Sequence, residues 1–297
     1  MTPSPADNDG VRLSVVIPTM KRVALLRDTL ESLRSCQPPP HEVIVVDADP
    51  AGSARPVTEK YEGVLAPAVH YLRSEPSLTV QRNLGIEASN GDAIVFLDDD
   101  VEVHGDVFAR LAEAYDDPAV VGATGRVVEP GAKRVGNPGT LVRRLLFRGE
   151  EGKFTSAGYP RYLSRLDRPA DVEFMPGCFM SARRELAARV GFDEALGGYA
   201  LAEDEDFAYR LSRLGRVRYV PGARVVHRKL GFSSHDSRAF GRLVVRNRSY
   251  LFRKNFPQTR LARLQFRLFL LLLLGHRLLN RDWAGARGLL EGVRAAR

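Results

Sequence analysis

The stretch 93–101 has the sequence Ala-Ile-Val-Phe-Leu-Asp-Asp-Asp-Val, and it decides the fold. Its five apolar residues favour a buried β-strand, which ends abruptly in the carboxylates Asp98, Asp99 and Asp100. Adjacent carboxylates repel one another, and burying them without a counter-charge is costly. Hard oxygen ligands suit Mg²⁺ or Mn²⁺, ions that usually take a substrate phosphate as a further ligand. We therefore expect a divalent-cation site at this strand end; the alternative is an acidic turn in solvent.

Strand and helix patterns alternate upstream of this stretch. Apolar runs predict strands at 11–18, 42–47 and 69–72. Apolar spacing predicts a helix over 22–34, and Ser77 is the expected N-cap of a second helix that ends at residue 88. The alternation is typical of an α/β fold, a Rossmann-like and mostly parallel sheet flanked by helices, in which ligands bind at the carboxyl ends of strands. The residues at those ends are Pro18, Thr19, Asp47, Asp49 and the triplet 98–100.

Composition indicates an ordinary globular protein with an unusual division of charge. The 297 residues are 44% hydrophobic and 27% charged, and the two cysteines provide no disulfide framework. Residues 207–297 include 21 Lys and Arg residues and three acidic residues. Residues 1–206 include 23 Lys and Arg residues and 33 acidic residues. We expect different partners for the two parts. The cysteine content and the polar start, expected to be a flexible tail over 1–10, favour a cytoplasmic location.

A second acidic centre lies at Glu203-Asp204-Glu205-Asp206. The four acids begin a predicted helix whose apolar face carries Phe207, Leu211 and Leu214. The N-terminal end of a helix favours negative charge, so helix capping accounts for at least one of the four. Capping does not account for all of them. A carboxylate in such a place can take the proton of an attacking hydroxyl, as a general base does.

Several segments carry a family resemblance when they are taken together and in order. They are Ser-Val-Val-Ile-Pro-Thr (14–19), Glu-Val-Ile-Val-Val-Asp (42–47), Gln-Arg-Asn-Leu-Gly (81–85), Phe-Leu-Asp-Asp-Asp (96–100), Gly-Phe-Asp-Glu (191–194), Ala-Glu-Asp-Glu-Asp-Phe-Ala-Tyr-Arg-Leu (202–211), and His227 after Tyr-Val-Pro-Gly-Ala (219–223). The chain resembles family-2 glycosyltransferases of the GT-A fold over about 13–227. The resemblance implies transfer of a sugar from a nucleoside-diphosphate sugar, linked to UDP, dTDP or GDP, to an acceptor hydroxyl of a glycan, a lipid-linked intermediate or a small molecule.

The resemblance also implies roles for individual residues. Pro18 and Thr19 would lie at the nucleobase, and Asp98 or Asp99 at the ribose. Asp100 would bind the Mn²⁺ or Mg²⁺ ion, with His227 completing the metal and diphosphate shell. The other residues expected to contact the donor are Asp47 or Asp49, for the base or ribose, and Arg82, for the base or a phosphate. The family usually has two adjacent acids where this chain has Asp-Ala-Asp at 47–49, so the choice between Asp47 and Asp49 stays open.

The same resemblance implies the chemistry of the second acidic centre. Asp204 would be the general base and Glu203 would help to place it, in a single in-line displacement with inversion. The predicted domains are a catalytic domain over 11–232, with a nucleotide-binding half (11–126) and an acceptor-binding half (127–232), and a helical extension over 233–297. A long Gly- and Pro-containing segment over 126–173 is expected to form a loop or lid at the site.

The basic extension permits two interpretations. Helical patterns cover 239–253 and 261–279, and the second includes Leu-Phe-Leu-Leu-Leu-Leu-Leu flanked by arginines. This apolar run is too short to span a bilayer. The segment 235–281 can contact a membrane surface, or it can form a helical hairpin packed on the catalytic domain.

Two other functional classes compete with glycosyl transfer. One is a nucleotidyl- or phosphoryl-transfer enzyme, because Val-Ile-Val-Val-Asp-Ala-Asp at 43–49 resembles the start of a haloacid-dehalogenase phosphatase. However, Pro50 and Ala51 replace the residues expected next. The other is a non-enzymatic basic module that binds a membrane or nucleic acid. The acidic residues at the predicted cleft argue against that class, and no nucleic-acid partner is expected.

Overall fold

The computed structural model describes residues 10–131, 149–163, 166–196, 200–228 and 236–295. The predicted tail lies almost entirely outside these ranges, as do 132–148 and 164–165 of the predicted lid segment and the link at 229–235 between the catalytic part and the extension.

A nine-stranded sheet organises the described residues. Its strands are β1 (Leu13–Thr19), β2 (Glu42–Asp47), β3 (Ala68–Arg73), β4 (Ala93–Leu97), β5 (Val101–Val103), β6 (Val120–Val128), β7 (Ala170–Val172), β8 (Phe179–Arg183) and β9 (Arg216–His227). They are ordered β3-β2-β1-β4-β8-β6-β9-β5, and β7 pairs with β9. The sheet is continuous across the predicted division at 126/127, which lies inside β6.

The predicted α/β fold is confirmed. All strand pairs are parallel in the first half of the sheet, and parallel and antiparallel pairs are mixed in the second half. Strands β3, β2, β1 and β4 are parallel neighbours. Beyond β4 the sheet is mixed, because β8 runs antiparallel to both β4 and β6 whereas β6 and β9 are parallel. The prediction of a mostly parallel sheet is therefore wrong for the second half. Sequence patterns upstream of residue 101 show βα repeats, and they carry no information on the direction of later strands.

Helices cover both faces of the sheet. They are α1 (Val23–Leu33), α2 (Arg55–Glu59), α3 (Leu78–Ala88), α4 (Val107–Ala114), α5 (Arg184–Val190), α6 (Glu203–Ser212), α7 (Ser237–Asn255), α8 (Arg260–Leu279) and α9 (Trp283–Ala295). Ser77 is at the N-cap position of α3 as predicted, but its side chain makes no capping hydrogen bond. Leu214 does not belong to the apolar face of α6, because the helix ends at Ser212 and Leu214 is exposed.

Alternating side chains of the strands build a core on each face of the sheet. On β1, Val15 and Ile17 pack with one cluster and Val16 with the other. Helix α3 lies close to β1, because a Cβ atom at Gly85 would come within 2.2 Å of Val16 Cγ1. This close approach holds the first turns of α3, which carry site residues, beside the carboxyl end of β1.

The extension packs on the catalytic part through aromatic residues. Phe252 of α7, Phe256 directly after α7 and Phe266 of α8 share one cluster with Phe154 and Tyr209. The Phe252 and Phe266 rings are stacked with centroids 4.4 Å apart. Helix α9 packs against α7. The interpretation of a helical extension packed on the catalytic part is therefore supported, and the extension ends in a third helix that no sequence pattern had predicted. Among the described helices, none has both the length and the hydropathy to cross a bilayer.

Candidate active site

The acidic triplet turns away from β4 at the centre of the sheet edge, where β1 also ends. Asp99 is buried and accepts a hydrogen bond from Thr19 Oγ1 at 2.7 Å. Burial raises the pKa of Asp99 to about 7, against the opposing effect of Arg22. The Thr19 hydroxyl is thus used by a carboxylate, and the Thr19 carbonyl accepts from the Ala48 amide at 2.9 Å, so both oxygens of this residue have partners within the protein.

Asp98 and Asp100 lie with His227 in one cluster. One potential ligand atom from each residue lies within 4.8 Å of the other two. His227 is the last residue of β9, and its partner in the neighbouring strand is Val101, which directly follows the triplet. Nε2 of His227 is 3.1 Å from Oδ1 of Asp100, an atom that is buried and accepts no hydrogen bond of acceptable geometry. Two carboxylates and an imidazole with an unsatisfied buried oxygen fit a divalent cation.

Arg22 supplies positive charge to the triplet, and the sequence analysis missed it. Its guanidinium forms ion pairs with Asp99 Oδ1 and Asp100 Oδ2, both at 2.6 Å. Burial by itself would raise the pKa of Asp100, but the contacts with His227 and Arg22 outweigh that effect and hold it below its usual value. Arg22 follows the end of β1 by three residues, and this position would have predicted that it lies beside the carboxyl ends of the strands.

The two candidate nucleoside acids are not equivalent. Both oxygens of Asp47 accept hydrogen bonds from within the protein, namely from the backbone of Asp49 and Ala54 and from the Tyr71 hydroxyl. Asp49 uses Oδ1 for the backbone of Ala51. Asp47 therefore holds the loop after β2 in shape, and the less heavily hydrogen-bonded Asp49, which is 6% exposed, is the stronger candidate for a donor contact.

Gln81, a residue of the quoted 81–85 segment to which no role had been given, ties two strand ends together. Its side-chain amide donates to the carbonyls of Thr19 at 2.9 Å and Val46 at 2.7 Å. The ends of β1 and β2 are thereby fixed relative to α3.

Arg82 connects the two acidic centres. Its side chain is buried, with 1% of it exposed. Its guanidinium donates to Glu203 at 2.7 Å, to Asp98 at 3.2 Å and to the carbonyl of Gly177 at 2.9 Å. It also lies over the ring of Phe192, 5.2 Å from the centroid. Acids that are far apart in the sequence therefore share one buried cation and form a single site.

Asp204 is held by backbone groups at the start of α6. Its Oδ2 accepts from the Gly177 amide at 2.9 Å, and its Oδ1 from the Glu205 amide at 2.8 Å. A side chain at Gly177 would crowd Asp204, because a Cβ there would be 3.1 Å from Asp204 Cβ. Burial raises the pKa of Asp204, and burial together with the Asp204 charge raises that of Glu203. A carboxylate with a raised pKa is a stronger base towards a hydroxyl than an ordinary aspartate.

The other two acids of the cluster hold the extension. Glu205 forms a two-pronged ion pair with Arg248 of α7, and one of its contacts is 2.6 Å long. Asp206 accepts from Lys254 at 3.0 Å and from Asn255 at 2.7 Å. The four consecutive acids thus divide into two that face the predicted reaction centre and two that bind α7.

Backbone geometry before α6 is unusual. Ala200 and Ala202 both have positive φ, at 51° and 71°. Non-glycine residues rarely adopt this conformation, which costs free energy and is often found at functional sites. The α7 residue Asn247 donates to the carbonyl of Leu201 at 3.0 Å, so the extension also helps to hold this entry into α6.

Comparison with known proteins identifies the family. The model of the family described as Glycosyl transferase family 2 matches residues 14–191, a range that contains β1, the acidic triplet and Arg82. The chain belongs to this family. The match ends before α6 and His227, so Asp204, the candidate base, and the third candidate metal ligand lie outside it.

Named relatives are also glycosyltransferases. The Pre-mycofactocin glycosyltransferase of Mycobacterium tuberculosis is 31% identical over 232 residues, which is 72% of this chain and 42% of that protein. The chain thus spans about two fifths of that relative's length. The Uncharacterized glycosyltransferase YwdF of Bacillus subtilis is 28% identical over 244 residues, covering 81% of this chain and 82% of that protein.

Solved structures confirm the GT-A fold. The crystal structure of S. aureus TarS matches with a TM-score of 0.56 and 16% identity, over 90% of this chain and 43% of that one. The crystal structure of GalNAc-T7 with UDP, GalNAc and Mn²⁺ matches with a TM-score of 0.57 and 18% identity, over 88% of this chain and 54% of that one.

Proposed function

We propose that this family-2 glycosyltransferase is an inverting enzyme that uses a nucleoside-diphosphate sugar and a divalent cation. The observation that carries the proposal is the buried side chain of Arg82, which joins Asp98 of the triplet to Glu203 of the second acidic centre. A glycosyl transfer needs a place for a diphosphate leaving group and a base for the acceptor close together. By contacting both acidic centres, Arg82 holds the candidate diphosphate site close to the candidate base.

The donor would lie along the carboxyl ends of β1, β2 and β4. Asp49 is our candidate for the base or ribose, because Asp47 is already fully hydrogen bonded by its own loop. Pro18 and Thr19 would lie beside the nucleobase, and Asp98 or Asp99 would contact the ribose. The Arg82 guanidinium donates to Asp98 and Glu203. It would therefore influence the diphosphate indirectly, by orienting Asp98. The nucleobase stays open among UDP, dTDP and GDP.

Asp98, Asp100 and His227 would hold Mn²⁺ or Mg²⁺. The buried, unsatisfied oxygen of Asp100 supports this assignment, as does the Mn²⁺ named with UDP in the related GalNAc-T7 structure. When bound, such an ion offsets the negative charge of a nucleoside diphosphate. Arg22, paired with Asp99 and Asp100, would orient both acids and favour their ionised forms.

Asp204 would take the proton of the acceptor hydroxyl during attack on the anomeric carbon. The Gly177 and Glu205 amides fix its two oxygens, and Glu203, fixed by Arg82, places the first turn of α6. With a single base and no enzyme-bound sugar, the displacement inverts the anomeric centre. The acceptor is a hydroxyl of a glycan, a lipid-linked intermediate or a small molecule, and a cytoplasmic location remains our prediction.

Release of nucleoside diphosphate from a panel of UDP-, dTDP- and GDP-sugars, with Mn²⁺ and added hydroxyl acceptors, tests the proposal. We expect one donor series to react, and Asp204→Asn to lower the rate by about 10²- to 10⁴-fold while donor binding persists. Asp106→Asn, an identical change at an exposed site paired with Arg110, is the matched control. Undiminished turnover in Asp204→Asn would remove Asp204 from the mechanism.

A further inference from the structure

The outer face of α8 is an exposed apolar surface on a docked helix. The inner face of α8 packs into the aromatic cluster through Phe266 and Phe269. On the opposite side, leucines recur at helical spacing and remain in solvent. They are Leu261 (63% exposed), Leu264 (62%), Leu271 (62%) and Leu278 (41%), followed at the end of the helix by Leu279 (87%). A monomeric protein rarely leaves so continuous an apolar stripe uncovered, so we asked what covers it.

Charge around the stripe selects the kind of partner. Helix α8 contains no Asp or Glu, and its N-terminal half presents Arg260, Arg263 and Arg267 as exposed residues. At helical spacing, Arg267 lies between Leu264 and Leu271. The only acids near α8 in the sequence are Asp282 and Glu291, and they are bound to arginines of the extension. A face with leucines and arginines and no acid complements a surface that is apolar beneath an anionic layer.

We infer that the outer face of α8 binds the surface of an anionic lipid bilayer, with the leucines entering the interface and the arginines contacting lipid phosphates. Helix α8 is suited to lie in the plane of the interface because its inner face is already packed on the protein, whereas its outer face combines apolar and cationic residues. The exposed Trp283, which begins α9 four residues after α8 ends, adds a large amphipathic side chain near the same end.

The outer face of α8 would be connected to the reaction centre through packed side chains and one ion pair. Phe266 and Phe269 of α8 pack in one cluster with Phe252 of α7, and α7 binds Glu205 beside Asp204 through Arg248. An acceptor presented at a membrane would therefore suit this arrangement, a consequence that rests on the function proposed above. Membrane binding itself does not depend on that function, and it is tested without an activity assay.

Sedimentation with vesicles of phosphatidylcholine, alone or mixed with phosphatidylglycerol, tests the inference on the full chain. We expect binding to the mixed vesicles that weakens with salt, and little binding to phosphatidylcholine alone. Leu264→Glu/Leu271→Glu should weaken binding at least about tenfold, since it places charge on the inserted face. Both positions are exposed and glutamate is a good helix former, so the fold should persist.

The matched control is Val64→Glu/Leu214→Glu, which makes the same charge change at exposed apolar residues outside the extension. It should bind vesicles as the unmodified chain does. Equal loss in both double variants would show that net charge alone governs binding and would overturn the inference. Absence of vesicle binding by the unmodified chain would also overturn it, as would a concentration-dependent dimer that Leu264→Glu/Leu271→Glu abolishes, because a second copy would then cover the stripe.

Discussion

At the scale of single residues, the site depends on a buried arginine. Arg82 offsets the charge of the buried Glu203 and of the half-buried Asp98, and its Nε has no hydrogen-bond partner of its own. Burying a charge is costly, and ion pairing recovers that cost only when the geometry is good. Removing the arginine would leave two acids facing each other without a cation.

Arg82→Ala should therefore destabilise the protein strongly. We expect the free energy of unfolding to fall by about 3 kcal/mol or more, because the variant leaves buried carboxylates uncompensated. Urea denaturation followed by circular dichroism measures the change. Arg34→Ala, which removes an exposed arginine paired with Glu31, should cost less than about 1 kcal/mol. Similar losses in the two variants would contradict the role given to Arg82.

The pH dependence of turnover depends on Asp204. Burial raises its pKa, and a general base must be ionised to act. As the pH falls through that raised pKa, the protonated fraction grows and the rate falls. An ordinary aspartate would place the acid limb of the rate profile near pH 4. We therefore expect the limb of this enzyme to lie at a higher pH. Because Glu203 and Asp204 are adjacent and interact, the measured limb belongs to the pair. A rate that stays level down to about pH 4 would contradict this prediction.

At the scale of elements, α6 and α7 act as one unit. Arg248 and Glu205 are both shielded from solvent, and Asn247 holds the strained turn before α6. The Arg248 charge also acts to lower the pKa of Asp204, against the effect of burial. The extension thus affects the proposed base without touching the reacting atoms.

Arg248→Met should lower the free energy of unfolding by about 3 kcal/mol, because Glu205 loses its buried partner. Adding Glu205→Leu should restore much of that stability, since an apolar pair replaces the ion pair. The single variant should also move the acid limb of the rate profile to higher pH. Arg253→Met, an exposed position on the same helix, is the control and should change stability by less than about 0.5 kcal/mol. Failure of the double variant to recover would contradict the pairing.

The elements show what sequence patterns can and cannot predict. Strands β1, β2 and β3 and helices α1 and α3 lie within two residues of their predicted bounds, because local periodicity reports the buried face. The convergence of Thr19 and the triplet followed from the rule that ligands collect at strand ends, whereas His227 was indicated only by the family resemblance. Arg248 could not be singled out, because a basic tail contains many arginines and only the tertiary structure selects the one that meets Glu205. Asp49 emerged over Asp47 only once the loop hydrogen bonds were known.

At the scale of the whole molecule, the predicted catalytic domain and extension share a core. Phe252, Phe256 and Phe266 of the extension pack with Phe154 and Tyr209. Ending the chain at residue 232 would expose those aromatic residues, remove Arg248 from Glu205 and remove Lys254 and Asn255 from Asp206. We expect the truncated chain to be insoluble, or to unfold at a clearly lower temperature in a circular dichroism melt. An unchanged melting midpoint would show that the extension is an independent appendage.

Calorimetric titration with UDP, dTDP and GDP shows whether Asp98, Asp100 and His227 form a cation-dependent nucleotide site. Each titration is made with and without Mn²⁺, on the unmodified chain, on Asp100→Ala and on the exposed control Asp106→Ala. We predict that one nucleotide binds in the presence of Mn²⁺, and that omission of the ion or Asp100→Ala abolishes binding while Asp106→Ala does not. Binding that is equally tight without Mn²⁺ and in Asp100→Ala, or no binding of any of the three nucleotides, would contradict the account.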